Sequence, residues 1–135
     1  MGTQQLLLIV LGVVAVSVAV LAGLSYFAGQ AVESNRDQVI ANLNTLANMA
    51  QAYFKKEKNL GGGGSSFAGF DIPENLKENA AGTFELLNAT STRALIEGVG
   101  VEDSGTSGGG CSESTQKITY QISVTASETS LKKIY

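Results

Sequence analysis

Residues 6–27 read LLLIVLGVVAVSVAVLAGLSYF, and this stretch decides the fold. It is 22 residues long, and only Gly12, Ser17, Gly23 and Ser25 interrupt its apolar character. About 20 apolar residues, each rising about 1.5 Å along a helix, span the ~30 Å hydrocarbon core of a bilayer. The stretch therefore predicts a membrane-spanning helix, and its small residues are positions where other helices can approach closely.

A cleavable secretory signal is the first alternative for this segment. Such a signal combines a positively charged start with an apolar run of about 7–15 residues and a small-residue cleavage site. The opening residues MGTQQ contain no Lys or Arg, and the apolar run is longer than that. We therefore favour the spanning helix. Because it begins within a few residues of Met1, we expect no cytoplasmic domain.

The composition of the whole chain excludes several classes of function. The 135 residues carry a net charge of −3, no His, and a single cysteine, Cys111. A nucleic-acid partner is not expected of a slightly acidic chain. An intrachain disulfide, a metal site built on several His or Cys ligands and a His-based catalytic group are all excluded. We expect neither an enzyme nor a cofactor, and we keep Cys111 and the Asn88-Ala-Thr pattern as candidate modification sites.

The helix is predicted to continue beyond the membrane segment. No Pro occurs before Pro73, and Gly is absent between Gly29 and Gly61, so one helix from about residue 3 to 59 is expected. Its second half carries an apolar stripe with helical spacing, formed by Val39, Leu43, Leu46, Ala50 and Tyr53. The opposite surface is predicted to carry polar residues: Asn35, Gln38, Asn42, Thr45, Asn48 and Gln51.

The remaining residues predict a small antiparallel sheet. Residues 116–125 alternate apolar and polar side chains and form the clearest strand, with further candidates at 83–88 and 93–102. The glycine-rich residues 61–66 indicate a flexible linker or surface loop, and residues 102–114 a long polar loop. A helical start is expected near Pro73.

A sheet with one apolar face has to cover that face with another element. The stripe on the second half of the helix has the right length, so we predict an α+β fold with the sheet on the distal half of a protruding helix. The predicted segments are residues 1–30 (apolar helix half), 31–60 (amphipathic half) and 61–135 (β domain).

This layout resembles the type IV pilin and pseudopilin superfamily. In that family the mature chain begins at the apolar helix, after a peptidase removes a short basic leader. A glutamate a few residues into the helix pairs with the amino terminus of a neighbouring subunit. Gln4 and Gln5 stand in that region here, and a glutamine can hydrogen-bond but cannot form an ion pair.

The resemblance implies a subunit of an extracellular pilus-like filament. The chain would first sit in the cytoplasmic membrane and then be polymerised with copies of itself by an envelope assembly machine. The resemblance implies a filament core made of Leu6, Leu7, Leu8, Ile9, Val10, Val13, Val14, Val16, Val18, Val20, Leu21 and Leu24. Gly12, Ser17 and Gly23 would permit close packing or loosen the helix. A monomeric membrane-anchored binding domain and a minor pseudopilin of a secretion system are the alternatives.

Overall fold

The computed structural model describes residues 2–103 and 116–134, which form a long helix and a five-stranded sheet. The α+β fold expected from the sequence is confirmed. The elements are α1 (Gly2–Lys55), a 3-10 turn (Lys58–Leu60), α2 (Glu74–Lys77), β1 (Glu78–Asn79), β2 (Gly82–Ala89), β3 (Arg93–Asp103), β4 (Lys117–Thr125) and β5 (Thr129–Lys133).

Helix α1 is a single continuous element of 54 residues, about 81 Å long at about 1.5 Å per residue. It ends at Lys55, four residues before the expected end. The reason lies in the glycine-rich loop that follows. The backbone N–H groups of Gly63, Gly64 and Ser65 donate to the carbonyls of Tyr53, Lys56 and Phe54 at 2.8–2.9 Å. These bonds satisfy carbonyls that the end of a helix leaves without partners.

Residues 61–66 form the surface loop that was one of the two alternatives, and the loop caps the end of α1. The segment after it turns inward. Phe67 is fully buried, and the centroid of its ring lies 4.7 Å from that of Phe54. Phe70 contacts Tyr53 in the same way, at 5.6 Å. Glycine allows the sharp turn, and the two aromatic side chains fix the loop to the helix.

The sheet is an antiparallel meander in which the strand order is the order of the chain, β1-β2-β3-β4-β5. Strands β2, β3 and β4 lie where the sequence predicted strands. Strands β1 and β5 were not predicted. In β5 all five residues are exposed, so the strand has no alternation of buried and exposed side chains.

The core lies between the distal half of α1 and one face of the sheet, mainly β3 and β4. From the helix, Val39, Leu43, Leu46 and Ala50 are buried to within 1 % of complete, and Tyr53 is half-buried. The sheet contributes the alternate residues of its inner face: Phe84, Ala94, Ile96, Ile118, Tyr120, Ile122 and Val124. The stripe on α1 and the inner face of the sheet thus cover each other.

Two glycines in β3 make room for this contact. A Cβ at Gly98 would lie 2.9 Å from the ring of Phe84 and 3.2 Å from Cγ of Leu43. A Cβ at Gly100 would overlap the Oδ1 of Asn35. Glycines that weaken β3 as a strand signal are therefore what allows the helix and Phe84 to approach the sheet.

Asn35 was predicted on the polar surface of α1, and this was wrong. Its side chain is 6 % exposed, because it lies one turn before Val39 on the buried stripe. The Nδ2 of Asn35 donates to the carbonyl of Ala81 at 2.8 Å, and its Oδ1 accepts from the N–H of Glu102 at 3.2 Å. Both polar atoms are used, so the residue ties α1 to the turn before β2 and to the end of β3. Gln51 was also predicted on the polar surface. It is partly buried, and its Nε2 donates to the carbonyl of Thr125 at 3.4 Å.

Candidate assembly surface

The first half of α1 is a bare apolar cylinder. The predicted filament-core side chains from Leu6 to Leu24 are between 54 % and 69 % exposed. The first 32 residues carry no charge. By length and composition this helix is able to cross a membrane. A surface of this kind has to be covered by lipid or by other protein, since large exposed apolar patches mark membrane or protein contacts.

The polar side chains in this segment bond within the helix itself. The Ser17 hydroxyl donates to the carbonyl of Val13 at 2.8 Å, and that of Ser25 donates to Leu21 O at 3.2 Å. These hydroxyls can therefore enter an apolar environment without leaving a donor unpaired. The half has no polar group that would oppose burial along its middle turns.

The glycines at positions 12 and 23 are not required by the single chain. A Cβ at Gly12 or Gly23 would meet nothing within 4 Å. Glycine inside a helix costs about 0.5–1 kcal/mol relative to alanine. In the single chain these glycines lower the stability of the helix, and no contact within the fold requires them. Glycines of this kind are expected where a second helix approaches closely.

Sequence reasoning missed three further small residues of this surface, Ala15, Ala19 and Ala22. They are exposed on α1 and follow each other at spacings of four and three. Since residues so spaced share one side of a helix, the signal was present in the sequence. It was hidden because alanine counts as apolar and does not interrupt the run.

The charged residues of α1 begin where the bare segment ends. Arg36 forms a 2.8 Å ion pair with Glu33, and its Nε lies 3.8 Å from an oxygen of Asp37. These side chains are more than two-fifths exposed, so the cluster stays in water and contributes little to stability. It marks the boundary between the bare half and the half that carries the sheet.

The other predicted sites lie away from this surface. Asn88 is exposed in β2 beside a bulge in its pairing with β3, and modification there remains a prediction. Cys111 and most of the 102–114 loop lie outside the described residues. Within residues 2–103 and 116–134, no three His, Cys, Asp or Glu side chains gather into a group able to hold a metal ion.

The layout, a long N-terminal apolar helix followed by a small antiparallel sheet on its distal half, is pilin-like. Comparison of the chain with protein-family models, with curated proteins and with solved structures gives no match. The resemblance thus concerns architecture.

Proposed function

We propose that this chain is the structural subunit of an extracellular type IV pilus-like filament. The observation that carries the proposal is the apolar half of α1. Its side chains are more than half exposed, and it continues without a break into a folded domain. The unbroken helix supports assembly, because it holds the domain at a fixed orientation to the segment that would pack.

The mechanism is packing. Lipid is as apolar as leucine, so helices in a membrane associate through close contact at small residues, and Gly12 and Gly23 provide such places. Once outside the membrane, each fully buried Leu, Ile or Val side chain contributes about 1.5–3 kcal/mol. A head-to-tail contact between identical chains generates an open helical polymer. The cytoplasmic membrane would hold the subunits before an envelope assembly machine adds them to the filament.

One observation favours a second candidate, the membrane-anchored binding domain. An open groove of about 460 Å³ lies beside the end of α1, lined by Met49, Tyr53, Phe70 and Pro73 among others. Its apolar walls would suit a small partner segment. The exposed helix half would then serve as an anchor in lipid, and the chain would stay single.

Electron microscopy of material sheared from expressing cells distinguishes the two candidates. For a filament subunit we expect thin uniform fibres in which mass spectrometry identifies this chain as the major protein. A chain found only in the membrane fraction, with no fibres, would contradict the proposal and favour the anchored domain.

Substitution of Leu8 by Arg tests the packing mechanism. Leu8 lies near the start of α1, so a long basic side chain can reach the membrane surface and insertion should persist. In a helical bundle the same charge would be buried without a partner, and we expect no fibres. Leu8→Ile is the matched control and should assemble. Intact fibres of Leu8→Arg would refute packing through this half.

A further inference from the structure

The sheet has two edges at which a strand lacks a partner on one side. Among the strands that the structure describes, β5 (Thr129–Lys133) pairs with β4 alone, and all five of its residues are exposed. At the other edge, β1 pairs only with Gly82 and Thr83, so the later part of β2 has no strand on the side away from β3. We call Thr129–Lys133 the β5 edge and Glu85–Ala89 the β2 edge. The unpaired N–H and C=O groups of such an edge can pair with a strand of another chain.

The two edges carry opposite charges. Lys132 and Lys133 lie on the β5 edge, and Glu85 lies on the β2 edge. In the part of the chain that the structure describes, none of these three side chains forms an ion pair. Glu85 also lies directly opposite Glu97 of β3, and like charges in this position repel each other. A lysine supplied by another chain would relieve that repulsion.

Charge therefore favours contact between unlike edges over contact between like ones. Pairing two β5 edges would bring four lysines onto one short ladder. Pairing two β2 edges would add a second carboxylate beside Glu85 and Glu97. Pairing a β5 edge with a β2 edge places opposite charges beside each other. This contact joins two different surfaces of identical chains, so it can repeat from copy to copy in an open polymer.

The directions of the two edge strands also match. The carbonyl of Ala81, directly before β2, accepts from Asn35, so β2 starts near the bare half of α1 and runs away from it. Strand β4 ends at Thr125, whose carbonyl accepts from Gln51 at the far end of α1, and β5 then runs back. When the α1 helices of two copies point the same way, β5 of one copy and β2 of the other run in opposite directions. That is the direction that every strand pair of this sheet already has.

We propose that the β5 edge of one copy pairs antiparallel with the β2 edge of a second copy, so that the sheet continues from chain to chain. This inference rests on the proposed filament. Lys132 lies opposite Gln121 on the outer face of the sheet, which is also the face of Glu85. A register with Lys132 opposite Glu85 therefore keeps both charged side chains on the same face.

The same register brings two leucines together on the other face. It places Leu131 of one copy opposite Leu86 of the other. Leu131 is paired with Ile122 and Leu86 with Ile96, so both lie on the face that carries α1. Leu86 packs against the core, and Leu131 is 42 % exposed in the single chain. The contact thus covers an apolar side chain that the single chain leaves in water, which favours pairing.

Charge reversal tests the pairing. Lys132→Glu and Glu85→Lys each place like charges opposite each other across the contact, and we expect each to lower the fibre yield about tenfold. The double variant restores opposite charges and should recover most of the yield. Arg93→Glu changes the net charge by as much as Lys132→Glu does, and it lies on β3, which is not an edge strand. It is the matched control and should assemble normally. Circular dichroism of each variant in detergent checks that the fold is intact.

Amide hydrogen exchange of the unsubstituted chain gives an independent readout. In fibres, the N–H groups of β5 that point away from β4 would donate to the second copy. Peptides that cover residues 129–133 should therefore exchange several-fold more slowly in fibres than in detergent-dispersed chains. Peptides that cover β3, which has a partner strand on each side within one chain, should exchange alike in the two states.

The outcomes separate this inference from the proposed function. If the unsubstituted chain forms no fibres, the filament proposal and this contact both fail. If it forms fibres and the two single reversals assemble at full yield, or the double variant does no better than they do, the contact is wrong and the filament stands. An equal loss of fibres in Arg93→Glu would mean that net charge controls assembly, which also overturns the contact. Equal exchange at residues 129–133 in fibres and in detergent would overturn it too.

Discussion

The two halves of α1 belong to one unbroken helix and have opposite relations to the rest of the chain. In the first half, side chains such as Leu24 are more than half exposed, and none of the large ones contributes to the core. In the second half, Leu43 has no exposed surface. The sequence pattern accounts for the difference. A sheet can cover one side of a helix, so a stripe is enough for the second half, whereas an all-round apolar half needs partners on several sides.

A pair of leucine truncations should show this difference between the two halves most clearly. Leu43→Ala removes buried volume between α1 and the sheet and should lower the free energy of unfolding by about 2–5 kcal/mol. Leu24→Ala removes the same atoms from an exposed position and should change it by less than about 0.5 kcal/mol. Urea unfolding of the full chain in mild detergent, followed by tyrosine fluorescence, measures both. An equal loss in the two variants would mean that the bare half contributes to the core.

A pair of asparagines should show a smaller difference. Asn35→Ala leaves the N–H of Glu102 without its partner and removes one of the two hydrogen bonds to the carbonyl of Ala81, so it should cost about 1–3 kcal/mol. Asn42→Ala loses only a bond within its own helix and should stay within about 0.5 kcal/mol of the parent. Hydrogen exchange at the Glu102 amide should accelerate in the first variant alone. Unchanged exchange there would show that Asn35 does not hold the end of β3.

A pair of glycines should give effects of opposite sign. Gly63→Ala brings a Cβ onto the carbonyl of Ser66 and to 2.8 Å from the Tyr53 ring, so the cap is disturbed and the domain should lose roughly 1 kcal/mol. Gly12→Ala has open space around its Cβ and should raise the stability of the helix by about 0.5–1 kcal/mol while hindering close packing in fibres. Thermal unfolding in detergent and fibre yield measure the two effects. A stabilising Gly63→Ala would show that the loop tolerates a side chain.

Most of the fold was predictable because it depends on periodicity. The alternation in β4 and the stripe on α1 each indicate which side of the element is buried. Each of the two apolar surfaces needs the other to cover it. Strand β5 was missed because all of its residues are exposed, so pairing with β4 leaves no trace in its hydrophobic pattern. Strand β1 has only two residues and is too short to show a hydrophobic pattern.

The error at Asn35 and the open alternatives at the glycine-rich loop had a different cause. These residues were interpreted from their chemical type and not from their position in the chain. Asn35 was assigned to the polar surface because it is polar, although its place one turn before Val39 puts it on the stripe. The glycines at 61–64 indicated flexibility, although their small size is what lets backbone N–H groups reach the end of α1. For the candidate assembly surface, the sequence was enough to predict the length of the apolar segment. The exposure of each of its side chains could be known only from the structure.

The order of the strands also bears on how quickly the domain forms. Each strand pairs with its neighbour in the chain, so the sheet grows by hairpins, which form in about 1–10 μs each. Among the elements the structure describes, β3 and β4 also contact α1, which is distant in the chain and comes first during synthesis. The docking surface of Val39 to Ala50 is therefore already made when the strands emerge. Within the sheet, each strand pairs with the strand before it in the chain, so strand pairing itself has little closure entropy to overcome.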